Sequence, residues 1–470
     1  PDILAELATV QLHSIQTSGN CVRNVTTDHF AGVAPDEIVD SFVWCELIRQ
    51  WSTFNAEFSY LPRKFKVAVN GALNDRAATY VHDIGLHALR RDGEVGFKVI
   101  VGGGLGRTPF VGHVIREFLP RAEILNYLDA ILRTYNRFGR RDNKWKARIK
   151  ILVKERGVAE FAREVEDEWR HWEGGEGTVP DAEFDRLGAF FTDHAYAKLT
   201  ADDAGYRALL ADNRAFARWV GRNVHPHKIA GYAIVTLSLK RTGVPPGDVT
   251  SAQMDAIADL ADAYSFGEIG VSHEQNLVLR DVPQARLFDV WTRLKALGLA
   301  TPNIGLLTDI VCCPGGDFCS LANAKSIPIA DAITRRFDDL DYLHDIGELD
   351  LNMSGCMNAC GQHHIGHIGI LGVDKNGAEF YQVTIGGAQG NDAALGKVIG
   401  PSFAAAEMPD VIERLIETYL ELRHEDERFV DVVRRLGIEP FKERVYGTTH
   451  SSSRDRRGFM DAAARAGADR

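Results

Sequence analysis

No stretch of the 470 residues is apolar for long enough to cross a bilayer as a helix, which takes about 20 such residues. No secretory leader pattern opens the chain, so neither a membrane partner nor export is expected. Positive charge is in deficit: 54 Lys and Arg against 65 Asp and Glu give a formal net charge of −11. General nucleic-acid binding rests on neutralising phosphates and is not expected of such a chain. Cysteine is scarce and odd in number, seven in all, which argues against a disulfide framework. A reducing, cytoplasmic setting is the default, and there thiols stay free for metal. An initiator methionine is also lacking, the first residues being Pro1, Asp2, Ile3 and Leu4. The length allows two or three domains with ample core.

The few cysteines are concentrated. Cys313 and Cys319 lie in CCPGGDFC, and Cys356 and Cys360 lie in GCMNACG. Backbone that bends sharply around a bulky inorganic object needs glycine, and Gly315, Gly316, Gly355 and Gly361 supply it. Four thiolates on turns suit an iron–sulfur cubane. Zinc also takes four thiolates, but its paired cysteines usually have two to four residues between them. The five-residue spacer from Cys313 to Cys319 fits zinc poorly. The pattern favours an iron–sulfur cluster over zinc, and zinc over no metal.

The chain reads as a duplication. GFKVIVGGGLGRTPFVGHVI (96–115) and FYQVTIGGAQGNDAALGKVI (380–399) each look like a strand, a glycine turn and the start of a helix. Upstream, TSGNCVRN (17–24) and IVCCPGGDFC (310–319) occupy matching places. Cys21 to Lys64 and Cys313 to Cys356 are both separated by 43 positions. Lys64 and Lys66 are therefore expected where the second copy carries Cys356 and Cys360.

Ahead of the cysteines lies a strand–helix–strand–strand–helix module. Residues 229–240, 267–271 and 276–282 read as strands, and 285–297 as an amphipathic helix. Thr250 with Gln253 forms a capping box for a helix to about Tyr264. In the first copy only PDILAELATV resembles part of that module, so a strand module is expected to be missing from the N-terminus. Residues 158–222 are acidic and aromatic and read as mostly helical. The tail after Gly447 reads as mobile.

Four segments in order resemble one family. CPGGDFCSLANAKS followed by SGCMNACGQHHIG looks like the signature of the sirohaem- and [4Fe–4S]-containing sulfite and nitrite reductases, and TSGNCVRN and LPRKFK resemble that family's two substrate-side motifs. The resemblance implies an α+β, pseudo-twofold fold of duplicated nitrite/sulfite reductase repeats, with ferredoxin-like half-domains and the first of these largely missing. It implies a first sirohaem-binding domain over 1–157, a helical acidic connecting region over 158–225, a ferredoxin-like half-domain over 226–305, a second sirohaem/[4Fe–4S] domain over 306–447 and a tail over 448–470. Carried over by motif, Cys313, Cys319, Cys356 and Cys360 are the cluster ligands, with Cys360 bridging to sirohaem.

The reaction implied is the six-electron reduction of sulfite to sulfide, or of nitrite to ammonia. Arg23, Lys64 and Lys66 match the anion-binding positions. Arginine offers a fixed fork and lysine a movable charge with a removable proton. Arg63 and Asn358 are expected against the cofactor. The basic run 133–156, with ten basic and two acidic residues, is expected to meet sirohaem carboxylates through Lys144 and Arg148, or to dock an acidic ferredoxin. A fourth anion-binding cation would lie in the missing module, its counterpart here being SHEQN (272–276). No flavin or nicotinamide module is visible, so electrons come from a separate donor such as ferredoxin or a flavoprotein. Lys64-Phe65-Lys66 leans toward sulfite, because nitrite carries one charge and plant nitrite reductases have asparagine at the second lysine.

Cys312 has the wrong spacing for a ligand and reads as a packing residue. GGGLG (102–106) lacks the acidic residue of a dinucleotide fold and reads as a turn. His363, His364 and His367 read as hydrogen-bonding residues near the cluster. Rival readings are a precorrin monooxygenase, which NCVRN and LPRKFK fit less well, and a non-catalytic iron–sulfur protein, which has no use for an anion pocket.

Overall fold

Hydrophobic alternation and glycine turns place three sheets along the chain, each with its own core. They are seen in a computed structural model that describes residues 1–191, 194–201 and 203–447; the tail expected beyond 447 lies outside the described residues. Among the described residues no helix is long and apolar enough to cross a membrane.

The first sheet runs β1 (Val22–Thr27), β2 (Phe65–Asn70), β3 (Ile84–Arg91), β4 (Glu94–Val101) and β5 (His113–Pro120), side by side in that order. β1, β2 and β3 are parallel, and β4 and β5 are antiparallel to their neighbours. Helices Ser41–Ser52 and Ile124–Phe138 cover it, burying Trp44, Ile48, Tyr127 and Ile131. The second sheet, β6 (Val224–Pro226), β7 (Tyr232–Leu237), β8 (Gly270–Val271) and β9 (Leu277–Pro283), has the order β6-β7-β9-β8 and is antiparallel throughout. Helices Ser251–Tyr264 and Leu287–Leu297 pack on it, and the Thr250–Gln253 capping box is formed. The third sheet holds β10 (Val311–Cys312), β11 (Leu351–Ser354), β12 (Ile368–Lys375), β13 (Ala378–Ile385), β14 (Lys397–Val398) and β15 (Phe403–Ala404), ordered β10-β11-β12-β13-β14 with β15 also on β13.

The first and third sheets share one topology: three parallel strands, then antiparallel ones. Val67, Ile84 and Val101 pair in a row, as do Leu351, Ile368 and Ile385, each 284 positions on. Left-handed residues recur at the same offset, Asp92 with Asn376 and Ala78 with Gln362. The duplication is real, and its register is fixed by backbone pairing.

Three expectations need correction. The segment after the first glycine turn is strand β5, not a helix, because its backbone pairs with β4 from Gly96–Pro120 to Val101–His113. Residues 158–225 are not one connecting unit: Phe161, Val165, Trp169 and Leu187 enter the first core, whereas Phe216 and Trp219 enter the second. Lys64 and Lys66 do not fall on Cys356 and Cys360. At an offset of 284 they fall on Glu348 and Asp350, and the equal 43-residue spacings are a coincidence of loop length.

Candidate active site

The turn after β10 and the loop after β11 carry the thiols. Cys313 is held level with β11, its N–H donating to the Met353 carbonyl at 3.1 Å and its Sγ accepting from Gly355 N at 3.1 Å. Gly315 turns the chain at φ +58°, and the Cys319 N–H donates back to its carbonyl at 2.9 Å. At Gly361 a Cβ would run into the Met353 carbonyl oxygen, so only glycine lets the loop bearing Cys356 and Cys360 lie this close. Cys313 and Cys356 are buried, and Cys360 is exposed. The Cys360 thiol is pushed up by burial of its surroundings and then by Cys313, Cys356 and Cys319, while Lys64 pulls it down. The four thiols therefore share one neighbourhood, with a cation of the first half across from it.

That first half supplies a cluster of positive charge. Lys64 is depressed below the ordinary lysine range by burial and then by Lys66, Arg148, Arg23 and Arg63. Lys66 is depressed by burial and Arg148, against the pull of Asp83. Asp83, fully buried, holds this group: its Oδ2 accepts from the Lys66 N–H at 2.9 Å, and its Oδ1 from Arg148 Nε and Nη2 at 2.9 and 2.7 Å. Arg23 donates Nε and Nη2 to the Gly19 carbonyl at 3.0 and 2.9 Å. Sequence reasoning missed Asp83, which reaches Lys66 only through the pairing of β2 with β3.

Lys144 is not gathered in: it is exposed, with its Nζ 5.0 Å from the Trp145 ring centre. Lys150 from the same basic run is the buried one. Its Nζ donates to the carbonyls of Gly104 and Leu105 at 3.2 and 2.7 Å, and burial lowers its pKa to about 8. It thereby supports the glycine turn of 102–106, which joins two antiparallel strands. Gly106 approaches the carbonyls of Met357 and the exposed Asn358 and accepts from His364 Nε2 at 2.9 Å, stitching the halves together beside the cysteine loop. His367 Nδ1 accepts from the Asp350 N–H at 3.1 Å, but His363 has no partner on either nitrogen and is pushed down to about 3 by burial. Cys312 is buried in the third core, and burial pushes its thiol up to about 12.

The duplication gives the site a mirror. At the 284 offset Arg76 stands where Cys360 does, and Asp28 stands where Cys313 does, since Thr27 pairs with Val69 on β2 as Cys312 pairs with Met353 on β11. These two form an ion pair at 2.7 Å. A cavity of about 250 Å³ lies there, lined by Arg76, His29, His273, Glu274 and Asp350, and 272–276 faces it. Its charges are exchanged relative to the first site: a cation replaces a thiol, and Asp350 replaces Lys66.

The comparisons with known proteins agree with this geometry. The nitrite and sulphite reductase 4Fe-4S domain matches residues 18–172 and 306–452, and the nitrite/sulfite reductase ferredoxin-like half domain matches 239–297. The chain belongs to the nitrite and sulfite reductase family. It is 26% identical to sulfite reductase [ferredoxin] 1 of Mycolicibacterium paratuberculosis, over 94% of this chain and 74% of that one. It is 28% identical to the chloroplastic ferredoxin–nitrite reductase of Arabidopsis thaliana, over 92% and 70%. The solved structure of the Mycobacterium tuberculosis NirA protein superposes with a TM-score of 0.74 at 26% identity, over 94% of this chain and 75% of that one.

The chain is thus an oxidoreductase whose cofactors are a [4Fe–4S] cluster and sirohaem. The residues present fit both groups. Four thiols on one glycine-shaped pair of turns are the donor set of a cubane. Five cations across from them suit a tetrapyrrole rich in carboxylates.

Proposed function

We propose that the chain is an assimilatory sulfite reductase, taking sulfite to sulfide with six electrons from a separate ferredoxin. The observation that carries this reading is Lys64 and Lys66 gathered with Arg23, Arg63 and Arg148 opposite the Cys360 loop. Sulfite carries up to two charges near neutral pH and nitrite one, so a surplus of cations favours sulfite. When bound, the cofactors supply the electrons and the iron at which the anion is reduced. Cys313, Cys319, Cys356 and Cys360 would hold the cluster, with Cys360 shared toward sirohaem, and Arg63, Arg148 and Asn358 would line the sirohaem.

The remaining work belongs to the side chains. Arg23, fixed on the Gly19 carbonyl through two nitrogens, keeps Nη1 for an oxyanion. Lys64 and Lys66 hold protons at Nζ less tightly than ordinary lysines, because burial and mutual repulsion disfavour their charge. They neutralise the anion and hand protons to its departing oxygens. The exposed Arg141, Lys144 and Lys146 offer a docking face to an acidic donor protein. A reducing compartment such as the cytoplasm suits seven unpaired cysteines.

The test is kcat/KM for sulfite and for nitrite with reduced methyl viologen. We expect sulfite to lead, and Lys66→Asn to move the ratio toward nitrite by about tenfold, the equivalent of about 1.4 kcal/mol. A wild-type ratio in favour of nitrite would move the function to nitrogen metabolism on the same scaffold.

A further inference from the structure

We propose that His194, Glu268 and Asp281 form a zinc-type divalent metal site that clasps the segment 194–201 onto the ferredoxin-like half-domain. One ring nitrogen of His194 and one carboxylate oxygen from each of the other two lie within 4.8 Å of one another. His194 Nε2 is 3.2 Å from Glu268 Oε1. Asp281, on β9, is 1% exposed, yet its Oδ2 is buried without a hydrogen-bond partner among the described residues.

The rest of the carboxylate is firmly held. Its Oδ1 accepts from the Tyr196 hydroxyl at 2.6 Å and from His227 Nε2 at 3.1 Å. His227 Nδ1 accepts from the Ile229 N–H at 2.8 Å, which leaves Nε2 as the nitrogen that donates to Asp281. Burial pushes the Asp281 carboxyl up, but the hydrogen bonds from His227 and Tyr196 outweigh it and keep the group ionised. A buried carboxylate oxygen with no partner is costly, and a cation at that vertex removes the cost. Carboxylates that ligate metals are themselves hydrogen-bonded, which fixes the orientation of the coordinating group, and Asp281 meets this through His227 and Tyr196.

The donor set selects the ion. One imidazole nitrogen and two carboxylates suit zinc, whereas calcium and magnesium prefer oxygen alone. Tetrahedral zinc holds such ligands about 3.4 Å apart, so atoms within 4.8 Å of one another need to close by at most about 1.4 Å, with water as the fourth ligand. Arg280 Nη1, 3.3 Å from Glu268 Oε2, offsets one of the two carboxylates. The Phe266 ring stacks on His194 at 4.5 Å between centres, and Tyr196 packs edge-on against Tyr232 at 5.0 Å, which fixes the imidazole on one side of the cluster. The ion joins a residue preceding the half-domain's first strand to its central hairpin, so its effect is mechanical.

The full chain, loaded with sirohaem and cluster, is dialysed against buffered zinc, and bound zinc is counted by mass spectrometry for the wild type, His194→Ala and Glu268→Gln. The expected result is one zinc more per wild-type chain than in either variant. Equal zinc in all three overturns the site. Cobalt(II) loading supplies the second reading. Weak d–d absorption without a thiolate charge-transfer band is expected, and a strong thiolate band lost only on cysteine substitution would place the ion elsewhere and overturn the proposal. His194 is partly exposed, so its replacement leaves the fold intact.

Discussion

At the scale of single residues, the site depends on buried charges whose partners come from distant parts of the chain. Asp83 aligns Lys66 through its backbone and Arg148 through its side chain, fixing two cations with one carboxylate. Lys150 does the same for the glycine turn through two carbonyls. With its pKa lowered to about 8, Lys150 gives up its proton in the folded state before an unfolded lysine does at 10.5. Between those values the unfolded chain binds more protons, so stability should rise with pH by about 1 kcal/mol per unit from this group. Lys150→Met should abolish that rise, the gain from removing a buried charge at pH 7 being offset in part by the two carbonyls left without a donor. Urea unfolding from pH 7 to 10 checks this, and identical slopes in the two proteins would show that Lys150 is not the buried cation described. Neither residue was legible beforehand. Asp83 has no local signature, and Lys150 is one of ten basic residues in the run 133–156 and one of three on the helix Ile149–Arg156, where only tertiary packing decides which is covered.

At the scale of elements, the loop after β11 and its counterpart after β2 have the same length and different contents. Gly361 occupies the position of Ala77 in the first half, where no thiols need housing. Gly361→Ala should push the cysteine loop off Met353, costing about 1–3 kcal/mol and lowering cluster content, read as acid-labile sulfide per chain. Full cluster content in that variant would mean that the close approach does not shape the site. Elements with local signals were readable: the capping box fixed the helix Ser251–Tyr264, and β-branched runs marked β7 and β9. β5 was misread because a glycine turn precedes it as it would a helix, and only pairing with β4 decides the matter. The cysteine motif was legible because its spacing is itself the chemistry. Among the cations singled out, the structure gathers Arg23, Arg63, Lys64, Lys66 and Arg148 together, whereas Lys144 stands exposed ahead of the helix Ile149–Arg156.

At the scale of the whole molecule, duplication built two related sites and the sequence filled them oppositely. One faces thiols with cations; the other pairs Arg76 with Asp28 and places Asp350 and Glu274 at its cavity. A group rich in carboxylates is attracted to the first and repelled by the second. One sirohaem per chain is therefore expected, measured by extraction and absorbance against protein concentration, and two would show that the exchanged charges do not exclude it. Contacts between the halves, such as His364 with Gly106 and Asp75 with Asn391, hold the thiols of one against the cations of the other.

The account's central claim is that a single site is assembled from the thiols of one half and the cations of the other, with Cys360 at the junction. Its most direct test compares Cys360→Ser with Cys312→Ser, measuring sulfite reduction by reduced methyl viologen alongside the electron paramagnetic resonance spectrum of the reduced enzyme. Cys312→Ser should keep activity and spectrum, because that thiol packs in the core and its hydrogen bond to the Cys313 carbonyl at 3.3 Å can be made by a serine hydroxyl. Cys360→Ser should lose turnover and any magnetic coupling between cluster and sirohaem. Wild-type activity with an unchanged spectrum in Cys360→Ser would contradict the assignment.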